Sequence, residues 1–228
     1  MFNKLGIRME GSWNQVAPII SEYVKNKSQF VYLEIGVAHC FTLRNSYDII
    51  KNNIKTNDWI CLGLDLEGSL DVNFKQISEA FNNQELVIST NENSENVLQK
   101  ISSGKYHAGL ILRKNTVDFI NKIDENSIDF YFEDSCHGKP CFIKHFLAME
   151  GKIKSGGLFM AHDTGEEETG TDWQPHCNSY IDVRGGLTEL GLLNNSRKGW
   201  KMIGEFAGTR KTENNPNGGN SIALFQKL

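Results

Sequence analysis

The chain has 228 residues, 39% of them hydrophobic and 23% charged, with a formal net charge of −4. That is enough sequence for one α/β domain with a sizeable core. An acidic balance argues against nucleic acid as a partner unless basic residues cluster, and Arg197-Lys198 and Arg210-Lys211 are only pairs. No apolar run approaches the ~18 residues of a membrane span, so no membrane partner is expected. Residues 1–10 carry charge and lack the apolar segment of a secretion signal. The cysteines Cys40, Cys61, Cys136, Cys141 and Cys177 form no CxxC, and the expected compartment is reducing and cytoplasmic.

Strand and helix patterns alternate from about residue 12 to residue 190. Residues 12–26 read as a helix with Ser12 as N-cap, and the run Phe30-Val31-Tyr32-Leu33-Glu34-Ile35 as a first buried strand. A helix is expected over 42–54 and a second strand over 59–64, ending at Asp65. Residues 73–81 and 94–102 read as helices separated by an Asn-rich stretch. A third strand follows at 108–112, a short helix at 117–123, a fourth strand at 127–132, a helix at 141–153, a fifth strand at 157–161 and a helix at 180–190. The tail changes character: two strand-like runs, 200–206 and 221–225, flank a turn-rich stretch and predict a β-hairpin. Short βα units imply parallel strands with right-handed crossovers. The expected fold is an α/β, Rossmann-like three-layer sandwich, whose mostly parallel seven-stranded sheet ends in an antiparallel hairpin.

Polar residues concentrate at the ends of these strands, where open α/β sheets bind ligands. Gly36 follows the first strand and permits a tight turn. The full G-x-G-x-x-G fingerprint is absent, since Val37, Ala38, His39, Cys40 and Phe41 follow. A nucleoside ligand without a pyrophosphate therefore fits better than a dinucleotide. Asp65 can accept both hydroxyls of a ribose diol. Glu34 is a further strand-end carboxylate. Asn115 and Thr116, after the third strand, lie where an adenine edge would sit, or else cap the next helix. Asp134, His162 and Asp163 can share one hard cation, and His137 stands three residues beyond Asp134. A rival metal reading takes Cys136, Cys141 and His145 as ligands of a structural zinc, but such sites often have a tighter first pair, Cys136 belongs to the active edge, and a fourth ligand could come only from afar. The acidic, Gly-bounded stretch 165–170 reads as a mobile lid, and Trp173, His176 and Tyr180 follow the fifth strand.

Glu34-Ile35-Gly36-Val37-Ala38, Gly63-Leu64-Asp65, the stretch 129–134 with His137, and Lys154-Ser155-Gly156-Gly157-Leu158 through His162-Asp163-Thr164 together resemble the motifs of class I S-adenosylmethionine-dependent methyltransferases. More narrowly, they resemble the metal-dependent O-methyltransferases of the macrocin, or macrolide-sugar, type. The resemblance runs from about residue 28 to the C-terminus. It implies a single methyltransferase-like domain over 1–228, with 1–27 as an N-terminal helical cap and 28–228 as the core. S-adenosylmethionine would be held by Glu34, Gly36, Asp65, Asn115, Thr116 and Asp134. Asp134, His162 and Asp163 would hold a divalent metal, Mg²⁺ or Mn²⁺, and His137 would be the catalytic base. The acceptor would be a hydroxyl of a small molecule, a sugar or natural product, and a homo-oligomer is compatible with the resemblance. Two features depart from the family pattern. Cys40 stands where many relatives have a second glycine, and His162 where close relatives often carry an acidic ligand, which shifts metal preference away from Mg²⁺. Two other readings use the same fold: a metal-dependent hydroxylase or oxygenase with iron at Asp134, His162 and Asp163, and a non-catalytic binder of an adenosyl ligand.

Overall fold

The structure, a computed structural model, describes residues 11–37, 41–66, 81, 86–90, 107–113, 115–175, 177–206 and 221–228. The helices expected over 73–81 and 94–102 lie outside these residues, apart from Phe81, and so do Ala38, His39, Cys40 and His176.

Ten strands are present among the described residues: β1 (Phe30–Ile35), β2 (Trp59–Leu66), β3 (Leu86–Thr90), β4 (Ala108–Arg113), β5 (Ile128–Glu133), β6 (Ile153–His162), β7 (Trp173–Gln174), β8 (Ser179–Tyr180), β9 (Trp200–Phe206) and β10 (Ile222–Lys227). Eight of them form one sheet in the order β3-β4-β2-β1-β5-β6-β10-β9. The six strands from β3 to β6 are mutually parallel, and β10 and β9 close the sheet antiparallel. The Rossmann-like, mostly parallel architecture with a terminal hairpin therefore holds. It carries one strand more than the sequence pattern suggested, because Leu86–Thr90 pairs with β4 at the outer edge.

The pleat sorts the core. Leu33, Ile35, Leu62, Leu64, Tyr131, Phe159 and Phe225 face one side, and Phe30, Tyr32, Cys61, Phe130, Phe132, Met160 and Leu224 the other. This is the period of two expected for strands buried on both faces. On the second face lie α1 (Gly11–Lys25), through Val16, Ile20 and Val24, and α2 (Phe41–Asn53), through Leu43, Tyr47 and Ile50. On the first lie α3 (Thr116–Ile120), α4 (Lys139–Met149) and α5 (Val183–Glu189). Phe142, Phe146 and Met149 of α4 and Val183 and Leu187 of α5 pack there. Each of these stripes follows helical spacing.

Several boundaries differ from expectation for local reasons. Ser12 falls inside α1 rather than before it. The helix expected over 141–153 stops at Met149, and Ile153 already pairs with Ile128 in the sheet. Gly156, at φ 77°, lets β6 pass a register shift opposite Ile128 and Phe130, so the strand begins four residues before the expected 157. The helix expected over 180–190 begins at Val183. Asp182 caps it by accepting a hydrogen bond from Gly185 N at 2.9 Å, and Tyr180 belongs to the small β7–β8 hairpin.

Phe159 is the hub of the first face, with ring centroids at 5.4 Å from Tyr131, 5.1 Å from Phe146, 5.7 Å from Phe225 and 6.1 Å from Trp200. Phe159→Ala is expected to destabilise the protein by about 3–5 kcal/mol. Urea denaturation should show a lower midpoint at unchanged slope. A loss below about 1 kcal/mol would mean that the ring is not central to the core.

Candidate active site at the strand ends

From β1 the sheet grows outward through β2, and the chain then returns to lay β5 on the other side of β1. This switch point is where open α/β sheets form a crevice. Backbone bonds fix it: Gly36 N donates to Leu64 O and Asp134 N donates to Ile35 O, both at 2.9 Å. Gly36 has φ 83°, and a Cβ there would lie 2.1 Å from the carbonyl oxygen of Asp134. Only glycine allows the two strand ends to approach so closely.

On β1, alternation places Tyr32 and Glu34 on the same face, and the Tyr32 hydroxyl donates to Glu34 Oε2 at 2.6 Å. Glu34 is fully buried, and its Oε1 has no hydrogen-bond partner among the described residues. Burial pushes its pKa well above the usual carboxylate range. The Tyr32 hydrogen bond opposes this, and the Asp134 and Asp65 carboxylates reinforce it. β5 repeats the device on the opposite face, where the Tyr131 hydroxyl donates to Glu133 Oε2. Glu133 Oε1 accepts a hydrogen bond from Ser135 and lies 3.2 Å from His145 Nδ1 on α4. Burial works against a charge on His145, yet the Glu133 carboxylate leaves its pKa raised.

Asp134, His137, His162 and Asp163 converge beyond the ends of β5 and β6, with side chains 13–21% exposed. His162 Nδ1 lies 2.8 Å from Asp134 Oδ1 and 3.1 Å from Asp163 Oδ1. His137 Nε2 lies 3.2 Å from Asp134 Oδ1, and its Nδ1 lies 3.1 Å from Asp163 Oδ2. Asp163 reaches this position through a left-handed turn, at φ 53°, which Asp tolerates better than most residues. Donor atoms of Asp134, His137 and His162 all lie within 4.8 Å of one another. Asp163 thus contacts both imidazoles. Burial disfavours the charged forms, but mutual pairing prevails. His162 is held well above its ordinary pKa and His137 above it, while Asp134 is held down at about 2 and Asp163 is also lowered.

The remaining residues singled out from sequence lie along the same edge. Asp65, 9% exposed, ends β2 close enough to Glu34 to influence it. Asn115 follows β4 and is exposed. Its Oδ1 caps α3 by accepting from Val117 N at 3.1 Å, and Thr116 is buried as the first residue of that helix. The stretch 165–170 is pinned rather than free: the buried Glu168 carboxylate accepts from Gly165 N at 2.8 Å, Ser221 N at 3.1 Å and Ser221 Oγ at 2.8 Å. Trp173 and Tyr180 form an exposed T-shaped pair at 5.1 Å on the β7–β8 hairpin. His145 does not join Cys136 and Cys141, being engaged with Glu133 and Ser135. Sequence reasoning placed Glu133 and Ser135 in the polar cluster after the fourth strand but gave them no role. The repeated Tyr-x-Glu at two strand ends was the available signal.

No protein-family model matches the sequence, and no curated protein does. Solved structures do match in fold. An O-methyltransferase from Bacillus cereus in complex with SAH is 12% identical, with a TM-score of 0.55 over 94% of this chain and 81% of that one. The O-methyltransferase TomG from Streptomyces achromogenes, in complex with SAM, is 11% identical, with a TM-score of 0.55 over 100% and 94%. The N-methyltransferase NodS from Bradyrhizobium japonicum is 10% identical, with a TM-score of 0.52 over 95% and 96%. The chain therefore has the fold of class I methyltransferases.

The imidazole–carboxylate cluster carries a pH signature in the presence of a chelator. The His162 contribution to stability is complete below the unfolded imidazole pKa of about 6.5 and is lost as pH rises through the raised folded value. The Asp134 contribution is complete above about 3.9 and is lost as pH falls toward about 2. Urea stability should therefore decline on the alkaline side. Buried Glu34 acts in the same direction, so the His162→Gln variant isolates the imidazole and is expected to flatten the decline. An equal decline in wild type and variant would remove His162 as its source.

Proposed function

We propose that the chain is an S-adenosylmethionine-dependent methyltransferase that acts on a hydroxyl of a small molecule with the help of a divalent cation. The observation that carries the reading is the meeting of Glu34, Asp134, His137, His162 and Asp163 at one switch-point edge, on a fold whose solved examples include proteins holding SAM or SAH. The residues fit both groups. A fully buried carboxylate oxygen without a partner among the described residues suits a cationic amino group, and a half-buried set of carboxylate and imidazole donors suits a dication.

When bound, the cofactor supplies a sulfonium-activated methyl group, and the cation lowers the pKa of the acceptor hydroxyl. The protein's own residues do the rest. Glu34 would accept hydrogen bonds from the amino group, and the arriving positive charge would restore its ionised form. Asp65 would accept both ribose hydroxyls, while Gly36 would keep the backbone clear for the ligand. Asn115 and Thr116 would border the base. Asp134, His162 and Asp163 would hold the cation. His137 would take the acceptor's proton on one ring nitrogen while a carboxylate steadies the other. Trp173 and Tyr180 would offer an apolar platform to the acceptor. Alignment of acceptor and methyl group, rather than covalent chemistry by the protein, would supply much of the rate.

A second reading rests on one specific feature. Asp134, His137 and His162 make a two-histidine, one-carboxylate donor set, the pattern of non-haem iron oxygenases. Oxygen uptake that requires iron and is insensitive to SAM would favour it over methyl transfer.

Calorimetric titration of SAM and SAH, with and without Mg²⁺ or Mn²⁺, should show micromolar binding. Glu34→Gln should weaken cofactor binding roughly tenfold or more, the worth of a charge-assisted hydrogen bond. His137→Ala should leave cofactor affinity unchanged and lower turnover by roughly 10²–10⁴. Folded protein that binds neither ligand would overturn the reading, and a His137→Ala variant of undiminished turnover would remove that residue as base.

A further inference from the structure

Three thiols from three separate segments meet beside the strand-end cluster and take no part in the chemistry proposed there. Cys136 lies in the loop after β5, between Asp134 and His137. Cys141 lies in the first turn of α4, and Cys177 in the turn of the β7–β8 hairpin. All three are partly buried, and their sulfurs lie within 4.8 Å of one another. The hairpin is laid on the loop by backbone pairing: Asp182 N donates to His137 O at 2.9 Å, and Gly138 bridges to Ile181. Gly138 makes the approach possible, because a Cβ there would stand 2.1 Å from Cys177 Sγ. In the protein without a cation, burial pushes the Cys141 thiol up to about 11 and raises Cys136 as well.

We propose that Cys136, Cys141 and Cys177 form a binding site for a thiophilic divalent cation, zinc above all, that fastens the β7–β8 hairpin to the loop carrying Asp134 and His137. Tetrahedral coordination with zinc–sulfur bonds of about 2.3 Å places sulfurs roughly 3.8 Å apart, so an ion draws the trio together by no more than about 1 Å. A disulfide would join two of the sulfurs and leave the third idle, whereas a cation uses all three. As each sulfur–metal bond forms, the thiol proton passes to solvent and no electron is transferred. Solvent takes the fourth position. Sulfur donors distinguish this site from the neighbouring oxygen and nitrogen cluster, which favours harder ions. The proposal stands whether or not the strand-end site transfers methyl groups.

Cobalt(II) added to the reduced, full-length protein is the test, because thiolate ligation produces a near-ultraviolet charge-transfer band that carboxylate and imidazole ligation does not. One equivalent should generate the band, and zinc should bleach it. The Cys177→Ser and Cys136→Ser variants should lose it, while Asp134→Asn should keep it. Zinc should also raise the thermal midpoint of wild type and shield three thiols from a thiol reagent, a readout that needs no variant to fold. Absence of the band in wild type, its survival in folded Cys177→Ser, or full thiol reactivity in the presence of zinc would overturn the site. So would a Cys136–Cys177 or Cys141–Cys177 disulfide in protein isolated without reductant, which would assign the trio to thiol oxidation instead.

Discussion

The backbone contact between Gly36 and Asp134 is the constraint around which the strand-end site is arranged. Three strands are tied together there by two hydrogen bonds, Gly36 N to Leu64 O and Asp134 N to Ile35 O. The absence of a side chain at Gly36 lets the β1 turn rest on the β5 carbonyl. Because β5 and β6 are in register, with Glu133 opposite Ala161, the residues that follow them, Asp134 and His162, emerge side by side. The apolar faces of the sheet hold this junction rigid from both sides. Side chains placed on such a framework keep their geometry more faithfully than side chains on free loops.

What the framework holds is electrostatically costly. Two carboxylates and two imidazoles share a half-buried space, together with the fully buried Glu34 close behind. Isolated, each charge would be expelled or neutralised. Together, the imidazoles lower the pKa of Asp134 and Asp163, and the carboxylates raise that of His137 and His162. A dication offered to this space competes with protons for the same lone pairs. Any metal binding there would therefore be coupled to the loss of protons from these groups.

Much of the architecture was legible in the chain because strands buried on both faces leave continuous apolar runs. Phe30–Ile35, Trp59–Leu66 and Ile128–Glu133 each carry one. Leu86–Thr90 escaped because it is short and lies in the polar, Asn-rich stretch between two segments that read as helices. Its strand character comes from pairing with β4, a tertiary effect. The extent of β6 was hidden by Gly156 and Gly157, which read as a break but serve as a register shift. At the site, strand-end position picked out Asp134, His137, His162 and Asp163, since polar residues just beyond a buried run have few other places to go. Cys177 could not be found this way. Its approach to Cys136 and Cys141 depends on a hairpin folding back across Gly138, and nothing in the local spacing announces that.

The two Tyr-x-Glu pairs lie on opposite faces of the sheet, Tyr32 with Glu34 toward α1 and α2, and Tyr131 with Glu133 toward α4. Both carboxylates nevertheless sit at the same edge. The pleat thus separates two sets of supporting contacts that serve a common rim. The Glu133–Ser135–His145 set bears on how α4 meets the rim, whereas Glu34 is backed by the packing of the other face. A lineage built on this sheet can retune one wall of its crevice while the other is inherited unchanged. Diversification need not wait for compensating changes across the core.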